Sequence, residues 1–303
     1  MLPITILTPT FNRQHTLRRV YESLLNQDFQ LFEWLIIDDG STDLTGNLIQ
    51  ELKKSSPFQI RYKYQSNGGK HRAHNTGVQL AKGILTTILD SDDELIKDAV
   101  EMIWKSWKSI PKGERSLYCG IWGNSVNQNG VKIGTEIKSP FIDGKLFDLT
   151  QKKIIIGEKL PSFRTEILKK HPFPTKINCN EYVPEGVVWI EISEEYKMRF
   201  LSDSLRIYYQ DIEDEKTIMN IVKNDNYGYF GKLMFSIKIL NIVKNYFPKY
   251  ILIFSKHIIR FIILIKESEY SLFKYLTLIE NKVVRTLIII IYPASSLFLR
   301  LFR

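Results

Sequence analysis

Three carboxylates fall within four residues, at Asp90, Asp92 and Asp93, directly after the apolar run 84–89. Carboxylates this close repel one another unless a cation lies between them. Hard divalent cations take oxygen ligands and bridge to phosphate oxygens, so this acidic cluster predicts a metal site for a diphosphate ligand. The alternatives are an ordinary acidic loop, or a helix over 94–104 that Asp92 caps.

Two further polar clusters contain residue types that recognise nucleotides. Residues 38–41 read Asp-Asp-Gly-Ser, and their carboxylates are suited to accept hydrogen bonds from ribose hydroxyls or a base N–H. Residues 67–72 read Asn-Gly-Gly-Lys-His-Arg, in which glycines admit a ligand to the backbone and a basic helix N-terminus favours anions. A turn with a helix cap, and a glycine turn before a solvated basic face, are the respective alternatives.

The elements that position these clusters alternate between strands and helices. Strands are predicted by four apolar or alternating runs, at residues 4–8, 34–37, 60–64 and 84–89. Helical spacing of apolar residues separates the runs, and the short connections imply right-handed crossovers and a parallel sheet. Ligands bind beyond the carboxyl ends of such strands, so the clusters at 8–12, 38–41 and 90–93 are expected to meet in one crevice.

The rest of the chain has a mixed pattern. Short strands are predicted at 117–122 and 153–156, and a helix at 187–196. The polar stretch 211–216 is the predicted boundary, and the chain from residue 220 onward is predicted to be helical and apolar.

The motifs, in their order, resemble those of family 2 glycosyltransferases. They are TPTFNR at 8–13, IIDDGSTD at 36–43, NTG at 75–77 with AKG at 81–83, and LDSDD at 89–93. The resemblance is strong over residues 1–100 and weak over 100–210. It implies an α/β GT-A fold, Rossmann-like with a mainly parallel sheet flanked by helices, over residues 1–215. Residues from 232 onward lie outside the resemblance, and the helical extension over 216–303 is predicted from the apolar pattern alone.

The resemblance assigns roles to the matched positions. Asp39 would accept a hydrogen bond from the base, commonly uracil, and Asp90 would contact the ribose side of the donor. Asp92 would bind Mn²⁺ or Mg²⁺ on the diphosphate, with Asp93 as a possible substitute. The remaining residues expected to bind the nucleotide are Thr8, Pro9, Asn12, Lys70 and Arg72.

One position departs from the family pattern. The family often has Arg before the Asn of the third motif, and this chain has His74 there. Lys70 and Arg72 are the candidates to supply the missing charge.

The resemblance also implies an inverting reaction, in which a carboxylate base deprotonates the acceptor hydroxyl. The family usually has an acidic pair ahead of an apolar-Trp pair. Matching that pair to Val188 and Trp189 puts Glu185 at the second acidic position and Pro184 at the first. Glu181 is the alternative base, and favourable charge at a helix N-terminus is the structural alternative for Glu185.

The net charge of +9 is located in the C-terminal quarter. From Lys232 to Arg303 there are twelve Lys and Arg against three Glu. The longest uncharged stretch, 286–299, is shorter than the roughly 20 residues that span a bilayer. We therefore predict amphipathic helices on an anionic membrane surface, with a helical cap on the catalytic domain or a dimer interface as alternatives. This segment is too apolar for nucleic-acid binding.

Composition excludes other classes of protein. The 303 residues are 44% hydrophobic and 25% charged, which excludes disordered and collagen-like chains. Two cysteines, Cys119 and Cys179, are too few for a disulfide framework or a zinc cluster, and we expect free structural thiols. Residues 1–10 lack the basic region of a signal peptide, so we expect a cytoplasmic protein, peripheral on the inner face of the cell membrane.

The predicted function is therefore inverting, metal-dependent transfer of a sugar, of the hexosyltransferase type. The donor would be a nucleotide-diphosphate sugar, with UDP the expected carrier, and the acceptor a glycan or lipid-linked glycan, as in bacterial surface polysaccharide synthesis. The Gln-x-x-Arg-Trp motif of processive synthases is absent, which favours one sugar per encounter. A nucleotidyltransferase of related fold and a non-catalytic peripheral membrane module are the alternatives.

Overall fold

A computed structural model describes residues 2–175, 182–209, 228–246, 248–268 and 270–301. They fall into two compact units. The sheet unit comprises Met1–Asn180 with Ile192–Glu215, and the helical unit comprises Glu181–Glu191 with Lys216–Arg303. The boundary predicted at 211–216 lies outside the described residues.

The sheet unit opens with the predicted alternation of strands and helices. These elements are β1 (Ile4–Thr10), α1 (Leu17–Leu25), β2 (Phe32–Asp38), α2 (Thr45–Ser55), β3 (Gln59–Tyr64), α3 (Lys70–Leu80) and β4 (Leu85–Ile88). The later elements are β5 (Glu94–Leu95), α4 (Ala99–Ser109), a 3₁₀ turn (Arg115–Leu117), β6 (Tyr118–Asn127), β7 (Lys132–Ile133), β8 (Phe141–Gly144), α5 (Leu146–Gln151), β9 (Lys159–Arg164), α6 (Thr165–Lys170), α7 (Gly186–Glu195) and β10 (Lys197–Tyr208). Helix α7 begins in the helical unit and ends in the sheet unit.

The described strands form one mixed sheet in the order β3-β2-β1-β4-β9-β6-β10-β5, with β7 beside β6 and β8 beside β10. Strands β1 to β4 are parallel to their neighbours in this part of the sheet, and β10 is parallel to β6. Strand β9 runs antiparallel between β4 and β6. The α/β fold with a central sheet is thus confirmed, with parallel pairing among β1 to β4 and mixed pairing in the rest of the sheet.

Helices cover both faces of the parallel strands. Even-numbered side chains of β1 and β2, including Ile6 and Trp34, join a buried cluster with apolar residues of α1, α2 and α4. Odd-numbered side chains, including Leu7 and Ile37, face α3. A Cβ at Gly77 of α3 would lie 2.2 Å from Leu7 Cδ1, so glycine at this position permits the close approach of helix and sheet.

Two local predictions in the sheet unit were wrong. The helix predicted over 94–104 begins only at Ala99, because Glu94–Leu95 pairs as strand β5 with β10. Asp92 is therefore not a helix cap. Residues 153–156, predicted as a strand, form the turn after α5, and Lys153 has a φ of 55°. The strand in this region is β9, which begins six residues after the predicted start.

The helical unit contains four helices among its described C-terminal residues. This confirms the prediction that the chain from residue 220 onward is helical where the structure describes it. They are α8 (Tyr229–Tyr246), α9 (Ile251–Glu267), α10 (Leu272–Leu276) and α11 (Lys282–Leu301). In the part of the chain that the structure describes, no helix combines the length and the apolar character needed to cross a bilayer.

Candidate active site

The carboxyl ends of the parallel strands are linked by backbone hydrogen bonds. Asp39 N–H donates to Thr10 C=O at 2.8 Å, and Gln65 N–H donates to Asp38 C=O at 2.9 Å. Strand β1 lies between β2 and β4, so the strand order reverses at this point, where open α/β sheets bind ligands. The polar clusters after β1, β2 and β4 therefore meet at one edge, as predicted.

The acidic cluster has the donor set of a divalent metal site. One ligand oxygen from each of Asp90, Asp92 and Asp93 lies within 4.8 Å of the others. Asp93 is fully buried, whereas Asp90 and Asp92 are partly accessible. Hard oxygen donors at this spacing fit Mn²⁺ or Mg²⁺.

Each carboxylate of the cluster has a cationic side chain beside it. The three N–O pairs are Lys70–Asp90 at 2.6 Å, Arg13–Asp92 at 3.9 Å and Arg206–Asp93 at 3.1 Å. Burial acts to raise the pKa of Asp90, but the charges of Lys70, Arg206 and Arg13 lower it overall. Burial and the Asp90 charge raise the pKa of Asp92. Burial likewise raises that of Asp93, against the opposing charge of Arg206.

The sequence analysis missed Arg206, which lies on β10 and is almost completely buried. Its guanidinium contacts Asp93, donates to Ser125 Oγ at 3.1 Å and reaches Glu158 at 3.3 Å. Tyr209 N–H also donates to Asp93, at 3.1 Å. The sequence gives little signal for Arg206, because β10 also carries Lys197 and Arg199 and lies far along the chain from Asp93.

Asp39 accepts hydrogen bonds from the loop before α3. Its Oδ1 accepts from the Gln65 amide at 2.7 Å and from Gly68 N–H at 3.1 Å, and its Oδ2 accepts from Gly68 N–H and, at 2.7 Å, from Gly69 N–H. The neighbouring Asp38 accepts from the Tyr62 hydroxyl at 2.8 Å. Both carboxylates are thus used to connect β2 to the next strand and helix.

The predicted residues at the end of β1 and directly after it differ in what their side chains do. The Thr8 hydroxyl is buried and accepts from the Trp34 indole N–H at 3.0 Å, so its side chain is engaged within the sheet unit. Asn12 Oδ1 accepts from Thr42 N–H at 2.8 Å, which ties the first two loops together. Pro9 is buried within β1.

Two residues beside them were not predicted. The Thr10 hydroxyl is buried and has no hydrogen-bond partner among the described residues. Phe11 leaves 45% of its surface exposed directly after β1. A buried polar atom of this kind and an exposed aromatic ring are both suited to a bound ligand.

His74 does not replace the arginine of the family pattern. Burial, and then the charge of Lys70, lower the pKa of its imidazole to about 3, so the ring is neutral at physiological pH. Asn75 exchanges two hydrogen bonds of 2.9 Å with the backbone of Phe173, and Arg72 donates to Thr175 C=O at 3.3 Å. Of the two candidates for the missing charge, Lys70 pairs with the acidic cluster and Arg72 holds the backbone at residue 175.

Glu185 lies in the helical unit, directly before α7. Its segment packs closely on α8, because a Cβ on Gly231 would lie 2.3 Å from Tyr182 C=O and 2.5 Å from Pro184 Cδ. Glu191 of α7 forms an ion pair with Lys238 of α8. The alternative base Glu181, and Cys179, lie outside the described residues, whereas Cys119 is a buried free thiol.

Solved structures share this architecture. S. aureus TarS 1–349 in complex with UDP-GlcNAc superimposes with a TM-score of 0.58 at 16% identity, covering 93% of this chain and 82% of that one. The mannosyltransferase PcManGT from Pyrobaculum calidifontis, in complex with GDP-Man and Mn²⁺, gives 0.51 at 14% identity, covering 95% and 86%. These similarities establish the GT-A fold.

Sequence relatives agree with the fold. The chain is 27% identical over 242 residues to the GalNAc(5)-diNAcBac-PP-undecaprenol beta-1,3-glucosyltransferase of Campylobacter jejuni, covering 77% of this chain and 72% of that one. It is 41% identical over 138 residues to the chondroitin synthase of Escherichia coli, covering 45% and 19%. The sequence model of glycosyl transferase family 2 matches residues 5–168, more than half of the chain. The chain therefore belongs to glycosyl transferase family 2.

Proposed function

We propose that this glycosyltransferase transfers a sugar, with inversion and with the help of a divalent metal, from a nucleoside-diphosphate donor. The observation that carries the proposal is the acidic cluster, whose three carboxylates converge at the edge of the sheet where β1, β2 and β4 end. A diphosphate needs positive charge there, and a metal held by oxygen ligands meets that need.

The donor is assigned to the crevice beside the cluster. Asp92 is the proposed metal ligand, together with an oxygen of Asp90, and Mn²⁺ or Mg²⁺ fits these carboxylate donors. A cation bound there stabilises the charge of the departing diphosphate. Uridine is the proposed nucleoside, placed against the loops after β1 and β2.

The residues proposed to contact the donor are assigned either to its base or to its diphosphate. Asp39 and the exposed ring of Phe11 are assigned to the base. The Thr10 hydroxyl supplies a donor that is unused among the residues that the structure describes. Lys70 is assigned to the diphosphate because it begins α3, whose N-terminus favours anions. Thr8, Pro9, Asn12 and Arg72 are the remaining residues that we assign to the donor site.

Glu185 is the proposed base that takes the proton of the acceptor hydroxyl. Its place directly before α7 supports the role, because it puts the carboxylate at the N-terminal end of a helix. The assignment otherwise depends on the residue match to the family.

The acceptor is proposed to be a glycan or lipid-linked glycan of the bacterial surface, to which one sugar is added per encounter. The named activity of the Campylobacter relative, on an undecaprenol-linked glycan, supports this class. Such acceptors lie at a membrane. We therefore include in the proposal a peripheral attachment through α11, whose exposed apolar residues Val283, Leu287 and Ile290 recur at helical spacing.

The test is a donor assay with the full chain. UDP-, GDP- and dTDP-sugars are offered with Mn²⁺, and release of the nucleoside diphosphate is measured with and without EDTA. We expect metal-dependent turnover with UDP-sugars and its loss in Asp92→Asn. Full activity in EDTA would overturn the metal assignment. Release of sugar 1-phosphate in place of the nucleoside diphosphate, when pyrophosphate is added, would indicate a nucleotidyltransferase. No turnover with any donor would favour a non-catalytic module.

A further inference from the structure

The three ion pairs of the acidic cluster differ in their access to solvent. Arg206 and Asp93 keep only 4% and 1% of their side-chain surface exposed. Lys70 and Asp90 keep 27% and 29%. The Arg206–Asp93 pair is therefore excluded from solvent, whereas the Lys70–Asp90 pair is accessible to a ligand.

The cations also differ in how firmly they are held. Arg206 is fixed by Ser125 and Glu158 in addition to Asp93. Lys70 carries a compact charge on a flexible four-carbon side chain, and its Nζ pairs with an oxygen of Asp90 at 2.6 Å. A divalent cation that uses the same oxygen must compete with this ammonium group, and two cations on one carboxylate oxygen repel each other.

We propose that Lys70 is an exchangeable counter-ion, which pairs with Asp90 in the nucleotide-free enzyme and moves to the donor diphosphate when metal and nucleotide bind together. Lys70 leaves Asp90 only when a diphosphate offers it another anionic partner. The cluster consequently binds divalent cations poorly without nucleotide, while Arg206 stays on Asp93 throughout. The identity of the ligand in this inference rests on the proposed function.

The experiment uses the full chain and two separate titrations. Mn²⁺ alone is titrated and followed by electron paramagnetic resonance, and UDP is titrated calorimetrically at saturating Mn²⁺. Lys70→Gln is compared with wild type and with Lys105→Gln. Lys105 is a matched control because it is an exposed helical lysine paired with Glu101 on α4.

Lys70→Gln should bind Mn²⁺ alone at least tenfold more tightly than wild type, and UDP at least tenfold more weakly. Lys105→Gln should match wild type in both titrations. Loss of a merely structural contact would not tighten metal binding, so unchanged or weaker Mn²⁺ binding in Lys70→Gln overturns the proposal, as does unchanged UDP binding. If no variant binds UDP, the proposed donor is wrong, while tighter Mn²⁺ binding in Lys70→Gln still supports the competition at Asp90.

Discussion

Asp39 Oδ2 accepts a hydrogen bond of 2.7 Å from Gly69 N–H, which joins the end of β2 to the start of α3. With the bonds from Gln65 and Gly68, three N–H donors occupy the two carboxylate oxygens, and the Gly68 N–H is shared between them. A base that hydrogen-bonds to Asp39 must therefore displace or share one of these donors. The Gln65 side chain is the one that can move without disturbing the backbone.

Asp39→Asn should weaken UDP binding by at least tenfold and lower the melting temperature. An amide placed here would turn an N–H₂ group toward the backbone N–H groups of Gly68 and Gly69, and hydrogen bonds to a charged group contribute roughly 1.5–3 kcal/mol. Calorimetric titration of UDP and thermal unfolding measure the two effects. Asp28→Asn, at an exposed surface pair with Lys97, is the control. Unchanged UDP affinity would remove Asp39 from the nucleotide site.

Glu185→Gln should lower turnover by about 10²–10⁴-fold and leave UDP affinity unchanged, because the amide keeps the volume and loses the basicity. Turnover is measured with the best donor from the panel. Glu195→Gln, at the exposed end of the same helix, should remain active. Near-normal turnover in Glu185→Gln would assign the base to Glu181 instead.

Gly231→Val should reduce turnover at least tenfold with little change in UDP affinity. The new side chain would collide with Tyr182 C=O and Pro184, and so displace the segment that carries Glu185. Overpacking of this kind costs about 1–3 kcal/mol. Gly113→Val is the matched control, since a Cβ there has nothing within 4 Å. Equal turnover in both variants would show that packing against α8 does not position Glu185.

Local patterns predicted the part of the fold that local residues determine. The runs at 4–8, 34–37, 60–64 and 84–89 became β1 to β4, because each buried strand has its own apolar signal and each crossover is short. The strand at Glu94–Leu95 and the contact of Arg206 with Asp93 were missed, since both depend on β10, more than a hundred residues away. Motif spacing placed the acidic cluster at the sheet edge, but it gave no sign of which cations would lie beside it.

Acid should destabilise the fold through buried histidines. In the helical unit, burial and then the charges of Arg260 and Lys256 lower the pKa of His257 to about 4, below the roughly 6.5 of an unfolded chain. Because the pKa of His257 is lower in the folded protein, the unfolded chain binds the proton first as the pH falls. The contribution of His257 to the free energy of unfolding is therefore highest above pH 6.5 and decreases as the pH falls toward 4. Between pH 7.5 and pH 5.0, the free energy of unfolding measured in urea should fall by about 2 kcal/mol less in His257→Gln than in wild type. Exposed His15→Gln is the control, and equal losses in all three proteins would contradict the prediction.

Helix α11 should attach the chain to anionic membranes. Val284 and Ile288 are buried, whereas Val283, Leu287 and Ile290 lie exposed along another face of the same helix. With the basic excess of the C-terminal quarter nearby, each charge at an anionic surface contributes about 1 kcal/mol, and inserted apolar side chains add to this. The full chain should therefore co-sediment with vesicles containing phosphatidylglycerol and much less with phosphatidylcholine vesicles.

Two variants and one change of conditions test this attachment. The double substitution Leu287→Ser, Ile290→Ser should abolish co-sedimentation, whereas Leu117→Ser, at an exposed leucine of the sheet unit, should not affect it. Raising the salt concentration to about 0.5 M should weaken the attraction, because exposed charges are screened beyond a few ångströms. If wild type ignores anionic vesicles and forms a stable dimer that the double substitution dissociates, the exposed face of α11 binds a second copy of the chain instead of lipid.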